Sequence, residues 1–485
     1  MKFHVRIVLL ILCALGSIVS LSQAEPYKRA PDVIPGTLPE MRDPSYWIAR
    51  MEKPDEIILS QVQIQRMNEN YRQKIHSEHP FKGANPDRIP NANRLLYRQG
   101  HVIAFPDLDT MSPVEIADSV RRQITREISF MLSGHFANVA SIEYSEREID
   151  AFEREMAIDL LGKECRVQYG ITVRTARQRI IPSWLPQQEG YPGHGTHCWD
   201  QWNLCVIKIA SPVSVLHRSR TGAYVFVLSE DGYGWLNSED VAFADRDVIS
   251  SYMKNDRFIL CTGDRVPYYS DDRCLYVSGW LRMGAHLPLS DGGNPRIIQS
   301  PVRKTDGTFA VERAWLASEA DVHAGYLPYT RRNIVTTAFK LLDNTYDWTG
   351  GWYGRNHDSN LRDIFACFGF KLPYEGLLFT HFGDDDTIVY PKMDRKAQYA
   401  AILRHEPFVT LMNCESGGPH SNLLLGEYNG TPIVFDMHGY NYQREDGVWL
   451  EIRRCCVGDI TMPNYFLKNR VTFLGLKLPI LNDIR

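Results

Sequence analysis

The chain has 485 residues, 44% of them hydrophobic and 23% charged, an ordinary soluble composition with apolar content for several cores. That length corresponds to roughly three domains. A formal net charge of −4 and a pI near 6.4 exclude a nucleic-acid polyanion as the expected partner, and the densest acidic run, "GDDDT" at 383–387, reads as a solvated loop.

At the N-terminus, Lys2 and Arg6 precede an apolar run from Ile7 to Leu21. Ser22-Gln23-Ala24 then places small residues where a signal peptidase inspects them. A membrane anchor needs ~20 apolar residues and usually a charged stop, and this run is shorter. Leu12 is too bulky for a lipidation site at Cys13. Residues 1–24 are therefore expected to be a signal peptide cleaved after Ala24. The mature chain is expected to be secreted, or periplasmic and envelope-bound, with no membrane span. Of ten cysteines, Cys13 is lost with the signal and nine remain. An odd number leaves at least one unpaired within the chain. Cys198/Cys205 and Cys261/Cys274 are close enough in sequence to close small loops in an oxidising compartment. Paired Cys-x-x-Cys spacing is lacking, so "GHGTHC" at 193–198 reads as a loop rather than a zinc site. No cofactor is expected.

Residues 25–42 are proline-rich and aperiodic and read as a strap. "PSYWIARMEKPDEIILSQVQIQRMNENY" at 44–71 looks mainly helical. Ser112-Pro113-Val114-Glu115 is a capping box with proline at the first helical position. Ile116, Val120, Ile124, Ile128 and Leu132 follow on one face. Ser145-Glu146-Arg147-Glu148 opens a second helix in the same way. The expectation is an N-terminal helical domain over 25–160.

From about 163 the pattern changes to short aromatic and β-branched runs broken by glycine turns, as in "VSVLHRSRTGAYVFVLSEDGYGWLNSEDVAFA" at 213–244. A similar stretch covers 258–288. Two small β-barrels in tandem are expected, over 161–250 and 251–315. The final region, 316–485, begins with a helix that Thr330 caps, its apolar face made by Ile334, Ala338 and Leu341. The turn "YDWTGGWYGRNH" leads into a second helix ending "FGFKLP" at Pro373. Strands follow, with Asn429-Gly430 as a hairpin signal. Helices followed by an antiparallel sheet predict an α+β domain, and the fold class of the chain is α+β.

These stretches resemble the NlpC-type cell-wall peptidases, which are papain-like cysteine hydrolases. The resemblance is to their multidomain γ-D-glutamyl-L-diamino acid endopeptidases with bacterial Src-homology-3-like domains. "DPSYWIARMEKPDEIILSQVQIQRMN" resembles that group's N-terminal stabilising segment, and "PVSVLHRSRTGAYVFVLSEDGYGWLNSEDVAFA" its first barrel. "GYLPYTRRNIVTTAFKLL" and "YDWTGG" resemble the lead-in to its catalytic domain. The resemblance implies three catalytic positions: a cysteine thiolate at a helix N-terminus, a histidine base on a facing strand, and a polar residue that orients the histidine.

Counting back from Pro373 along the family's spacing lands on His357, so the family's Asp-Cys-Ser becomes Asn356-His357-Asp358. "PHSNLLLG" places His420 at the base position. The orienter falls at Phe435, which cannot accept a hydrogen bond from imidazole, with Asp436 expected on the opposite face of that strand. Ser359 would enter the helix rotated by roughly 200° from the family cysteine. Cys367 belongs to the helix body, and Cys414 would lack the helix N-terminus that activates a thiol. Tyr346, Asp358, Glu375 and Tyr233 are the candidate substrate-binding residues, Glu375 keeping an acid where the family can hold the substrate's free amine.

The resemblance thus implies a catalytically degenerate homologue that binds peptidoglycan stem peptides, a murein fragment or a protein partner. The alternative is an active γ-D-glutamyl-L-diamino acid endopeptidase using Ser359 or Cys414 as a displaced nucleophile. A third reading places zinc between His357 and His420 with Glu375 or His438, against the plainer reading of two hydrogen-bonded histidines.

Overall fold

The computed structural model describes residues 28–29, 31–77, 107–133, 142–185, 200, 202–290, 294–347, 354–372, 387–389, 395–404, 406–408, 410–414, 420–438, 441–443, 449–459 and 473–477. The expected signal peptide, Cys198 with its histidine-bearing loop, and Glu375 lie outside them. The first two helices are α1 (Pro44–Ile48) and α2 (Gln61–Ser77), separated by a short strand at Ile57–Leu59. Asp43 starts α1 by accepting the Ser45 N–H at 2.8 Å. Their apolar residues Trp47, Ile64 and Met67 pack with Ile334, Phe365, Leu423 and Phe435 from the far end of the chain.

Helices α3 (Pro113–Ser133) and α4 (Glu146–Glu155) go elsewhere. Both carry the expected capping boxes: the Ser112 and Ser145 N–H groups donate to Glu115 and Glu148 at 2.7 and 2.8 Å. Ile116, Val120, Ile124 and Ile128 are buried, but against Trp202, Phe226 and Trp235 of the β-structure that follows. The region 25–160 therefore divides between two cores instead of forming one helical domain. Periodicity marks a buried face without naming what buries it.

Seven strands come next: β1 (Gln168–Thr172), β2 (Ala176–Arg179), β3 (Asn203–Ile207), β4 (Pro212–Arg218), β5 (Tyr224–Ser229), β6 (Gly232–Asn237) and β7 (Val241–Phe243). They form one sheet in the order β3-β2-β6-β5-β4-β1-β7. Among the described residues β3 and β7 remain edges, so the expected closed barrel is an open, curled sheet. Helix α3 covers one side and brings Glu127, wholly buried, to the Trp235 indole, which donates to its carboxylate at 3.2 Å. Burial holds the Glu127 carboxyl well above its usual range, outweighing the hydrogen bonds from Trp235 and Gln123. A group whose folded pKa is raised loses its stabilising contribution as pH rises from its unfolded value through its folded one. Glu127→Gln is therefore expected to raise the Tm at pH 8 and to change little at pH 4, as differential scanning calorimetry at the two pH values would read.

After α5 (Arg246–Met253), a second β-unit contains β8 (Phe258–Cys261), β9 (Arg265–Tyr269), β10 (Val277–Arg282), β11 (His286–Pro288), β12 (Ile297–Arg303), β13 (Phe309–Trp315) and β14 (Val322–Ala324). It too is not a closed barrel: it has a three-stranded sheet β11-β8-β14 and a four-stranded sheet β10-β9-β13-β12. Its last strand lies beyond residue 315. Cys261 points into the core and Cys274 stands in a partly exposed turn, and both are free thiols, as is Cys205. The small-loop disulfides expected from sequence proximity are not formed, because Cys261 donates to the Gly263 carbonyl and Cys205 to Gln178.

The last region has α6 (Arg331–Phe339), with Thr330 as cap accepting from the Asn333 N–H at 3.2 Å, then α7 (His357–Ala366). A six-stranded sheet follows, built of β15 (Thr387–Val389), β16 (Thr410–Cys414), β17 (His420–Tyr428), β18 (Thr431–His438), β19 (Arg454–Asp459) and β20 (Phe473–Lys477), with helix α8 (Arg395–Ile402) between β15 and β16. The strand order is β15-β20-β16-β17-β18-β19. Asn429 and Gly430 both have positive φ, 51° and 74°, and turn β17 into β18 as the sequence predicts. No helix among the described residues is long and apolar enough to cross a membrane.

Candidate functional site

The start of α7 is held from three sides. Thr345–Asp347 runs beside Gly354 and Arg355: the Asp347 N–H donates to the Arg355 carbonyl at 2.9 Å, and Tyr346 bridges Arg355. A Cβ at Gly354 would stand 2.4 Å from the Thr345 carbonyl oxygen, so only glycine permits this approach. Asn356 then caps the helix. Its side chain accepts from the Ser359 N–H at 2.7 Å, and its own N–H donates to the Ser359 hydroxyl at 3.0 Å. His357 is the first helical residue, buried, with Nε2 3.7 Å from the Asp358 carboxylate.

Behind this turn lies a group of buried charges that motif reasoning missed. The Asp363 carboxylate receives Arg282 at 2.6 Å, Arg355 at 2.8 Å and Lys208 at 2.8 Å. Arg355 also pairs with Asp264. The residue before Asp363, Arg362, meets Glu230 at 2.9 Å and Asp231 at 2.8 Å. Burial raises the Asp231 carboxyl to about 6, only partly offset by the Arg362 charge. Lys208, Glu230 and Asp231 come from the first β-unit, and Asp264 and Arg282 from the second. Both β-units are thus bonded to α7. The sequence signal was Arg362-Asp363 beside the apolar run Ile364-Phe365-Ala366 of the helix, with Arg355 just before it, charges that when buried need partners from outside the helix.

Of the candidate residues, His357 and Asp358 open α7 and Tyr346 lies beside its start, bridged to Arg355. Tyr233 does not join them. It is buried in the first β-unit, stacked on Phe226 at 5.6 Å, with its hydroxyl 2.9 Å from Ser119 of α3. It serves that core, in a strand buried on both faces.

His420 begins β17, paired with Cys414 across the ladder. Phe435 pairs with Leu423 and Val457 and packs on Phe339 of α6, with ring centroids 5.3 Å apart. Leu423 is an odd number of residues from His420 along an unbroken ladder. Alternation therefore puts Asp436, not Phe435, at the register that shares a face with His420. Asp436 does lie on the face opposite Phe435; what this register corrects is the expectation that Phe435 stands at the position facing the base.

Of the substitute nucleophiles, the Ser359 hydroxyl is engaged in the capping box. Cys367 is buried at the other end of α7, its thiol pushed up to about 12 by burial. Near α7 and along β17, Asn360 Oδ1, the Ser421 hydroxyl and both ends of the Asn422 amide are buried without hydrogen-bond partners. Among the described residues no three His, Cys, Asp or Glu side chains group as a metal site would require.

Comparison with known proteins agrees with this architecture. Residues 187–237 match the model of the SH3 domain of the SH3b1 type. A solved structure of an NlpC/P60 endopeptidase from Photobacterium damselae subsp. piscicida superposes with a TM-score of 0.65 over 94% of this chain and 99% of that one, at 16% identity. An NlpC/P60 family protein from Bacillus cereus aligns over 64% of this chain and all of its own, at 14% identity and a TM-score of 0.42, too low to bear on the fold. No curated protein matches. The chain therefore has the fold of an NlpC/P60 endopeptidase. More particularly, it is the multidomain form of that fold, carrying an SH3 domain of the SH3b1 type ahead of the C-terminal sheet.

Proposed function

We propose that this chain is an exported cell-wall peptidase homologue that has lost its chemistry and binds peptidoglycan stem peptides. One observation carries the reading: the residue that opens α7, in the seat where the resemblance implies a nucleophilic cysteine, is the buried His357. An acyl-transfer nucleophile there needs a thiolate stabilised by the helix N-terminus and a base held in one tautomer. Neither the capped Ser359 nor the buried Cys367 supplies one. The unpartnered polar atoms of Asn360, Ser421 and Asn422 support retained binding, since buried polar groups call for a partner. In this reading Asp358 and Tyr346, both at the helix N-terminus, contribute to the ligand site.

Purified mature chain given a γ-D-glutamyl-L-diamino acid stem peptide is expected to bind it by calorimetry and to release no product. His357→Cys alone is expected to add little hydrolysis, because burial at that position raises a thiol's pKa and works against the thiolate. Robust hydrolysis by the natural chain, abolished by His420→Ala, would overturn the reading. Labelling of Ser359 or Cys414 by a serine- or cysteine-directed probe would then identify the displaced nucleophile.

A further inference from the structure

On the second β-unit, far along the chain from α7, an apolar surface is presented by strand β10 and the turn before it. Leu275, Tyr276, Val277 and Trp280 are 65%, 69%, 50% and 53% exposed. Among the described residues β10 is an edge of the four-stranded sheet, with one row of its backbone N–H and C=O groups unpaired by any of their strands. Edge strands usually carry charge or a bulge that turns them away. This strand has a bulge at Ser278, where the pairing with β9 shifts, but its effect is the reverse. Gly279 and Leu281 pair with the buried Tyr268 and Val266. The extra residue therefore sets Val277 and Trp280 together on the outer face, opposite Tyr269 and Pro267.

The surface is also rigid before anything binds. The Asp271 carboxylate accepts the backbone N–H groups of Arg273, Leu275 and Tyr276 at 3.1, 3.1 and 2.8 Å. The Ser270 N–H closes the turn on the Tyr276 carbonyl at 3.0 Å. A preorganised apolar edge loses little entropy on association.

We propose that β10 is the dimer interface of this protein, two copies pairing their β10 edges antiparallel about a two-fold axis to join two four-stranded sheets into one. Such a pairing is self-complementary, as a two-fold interface must be. It lays the outer faces of the two strands side by side, so that Trp280 and Val277 of each copy flank those of the other. It also sets the acidic start of one strand, Asp271 and Asp272, toward the half-exposed Arg265 beside the far end of its mate. At ~200 Å² for a whole aromatic side chain, the four exposed residues remove about 700 Å² from water in the pair, more than half of the ~1,200 Å² of a stable interface. The two strand backbones and the charged rim supply the remainder. The inference is independent of the functional reading above, although Arg282 at the end of β10 bonds Asp363 of α7 and would tie the interface to that helix.

Sedimentation equilibrium of the purified full chain across the micromolar range tests this. A mass of two chains is expected at the upper end. Trp280→Glu and Tyr276→Glu, both at exposed positions, are each expected to raise the dimer Kd at least tenfold with an unchanged Tm in the monomer. Ser278→Cys is expected to give a disulfide-linked dimer on mild oxidation of both copies. A monomer at every concentration, or a dimer that survives both substitutions, overturns the proposal. So does a monomer whose Trp280 fluorescence responds to a murein fragment or an apolar peptide, which would make that ligand the occupant instead.

Discussion

Asp363→Asn is expected to cost about 3–5 kcal/mol at neutral pH, because it removes the anion from a buried group and leaves the cations behind. Burial alone would raise the Asp363 carboxyl, but Arg282, Lys208 and Arg355 outweigh it and hold the group far below the usual carboxylate range. A depressed folded pKa stabilises above the unfolded value and loses that contribution as pH falls toward the folded one. The natural protein should therefore lose stability steadily as pH drops below about 5, while the asparagine variant, already without the charge, shows a flatter acid limb. Urea unfolding at pH 7 and near pH 3.5 reads both slopes. Equal destabilisation at the two pH values would show that Asp363 acts through shape and not through charge. Arg355 stands two residues before His357, so the same substitution should also loosen the helix start, seen as faster amide exchange at Asn356 and His357.

The helix starts were legible because a capping serine or threonine and its partner three residues on are local chemistry. Ser112, Ser145 and Thr330 all cap as their neighbours imply. The Asn429-Gly430 turn was legible for the same reason: both residues tolerate positive φ where others resist it. The partners of these elements were not legible. Ile64 and Ile116 sit on similar amphipathic helices, yet one packs against Phe365 and the other against Trp235. Closure of the β-units depends on pairing between strand edges, which alternation along a single strand does not encode.

At the candidate site, counting along the resembled family's spacing needed only one helix, and His357 does open that helix. The placement of Phe435 needed the register between two strands, and a one-residue difference in register reverses the face. Tyr233 shows the same limit. An aromatic residue in a glycine-flanked strand reads as a pocket wall or as core, and only the approach of α3, carrying Ser119, makes it core.

Gly284 gives the second large expected effect, and it isolates how closely the second β-unit is seated on α7. The residue lies between β10 and β11 with φ at 78°, and a Cβ there would stand 2.6 Å from the Ala366 methyl and 3.1 Å from the Asp363 carbonyl oxygen. Gly284→Ala therefore meets two costs: about 1–2 kcal/mol for a left-handed backbone, and about 1–3 kcal/mol for the overlap with the helix. Gly222 has nearly the same φ, 75°, and open space around it, so Gly222→Ala should lose only the first of these. The difference between the two variants measures the steric part. Ala366→Gly removes the nearest wall and should recover part of that difference in the Gly284→Ala background, while costing about 1 kcal/mol by itself near the end of the helix. If the two glycine variants unfold at the same urea concentration, the second β-unit yields to the added methyl. The ion pairs of Arg282 with Asp363 and of Asp264 with Arg355, and not close packing, would then be what holds that β-unit against α7.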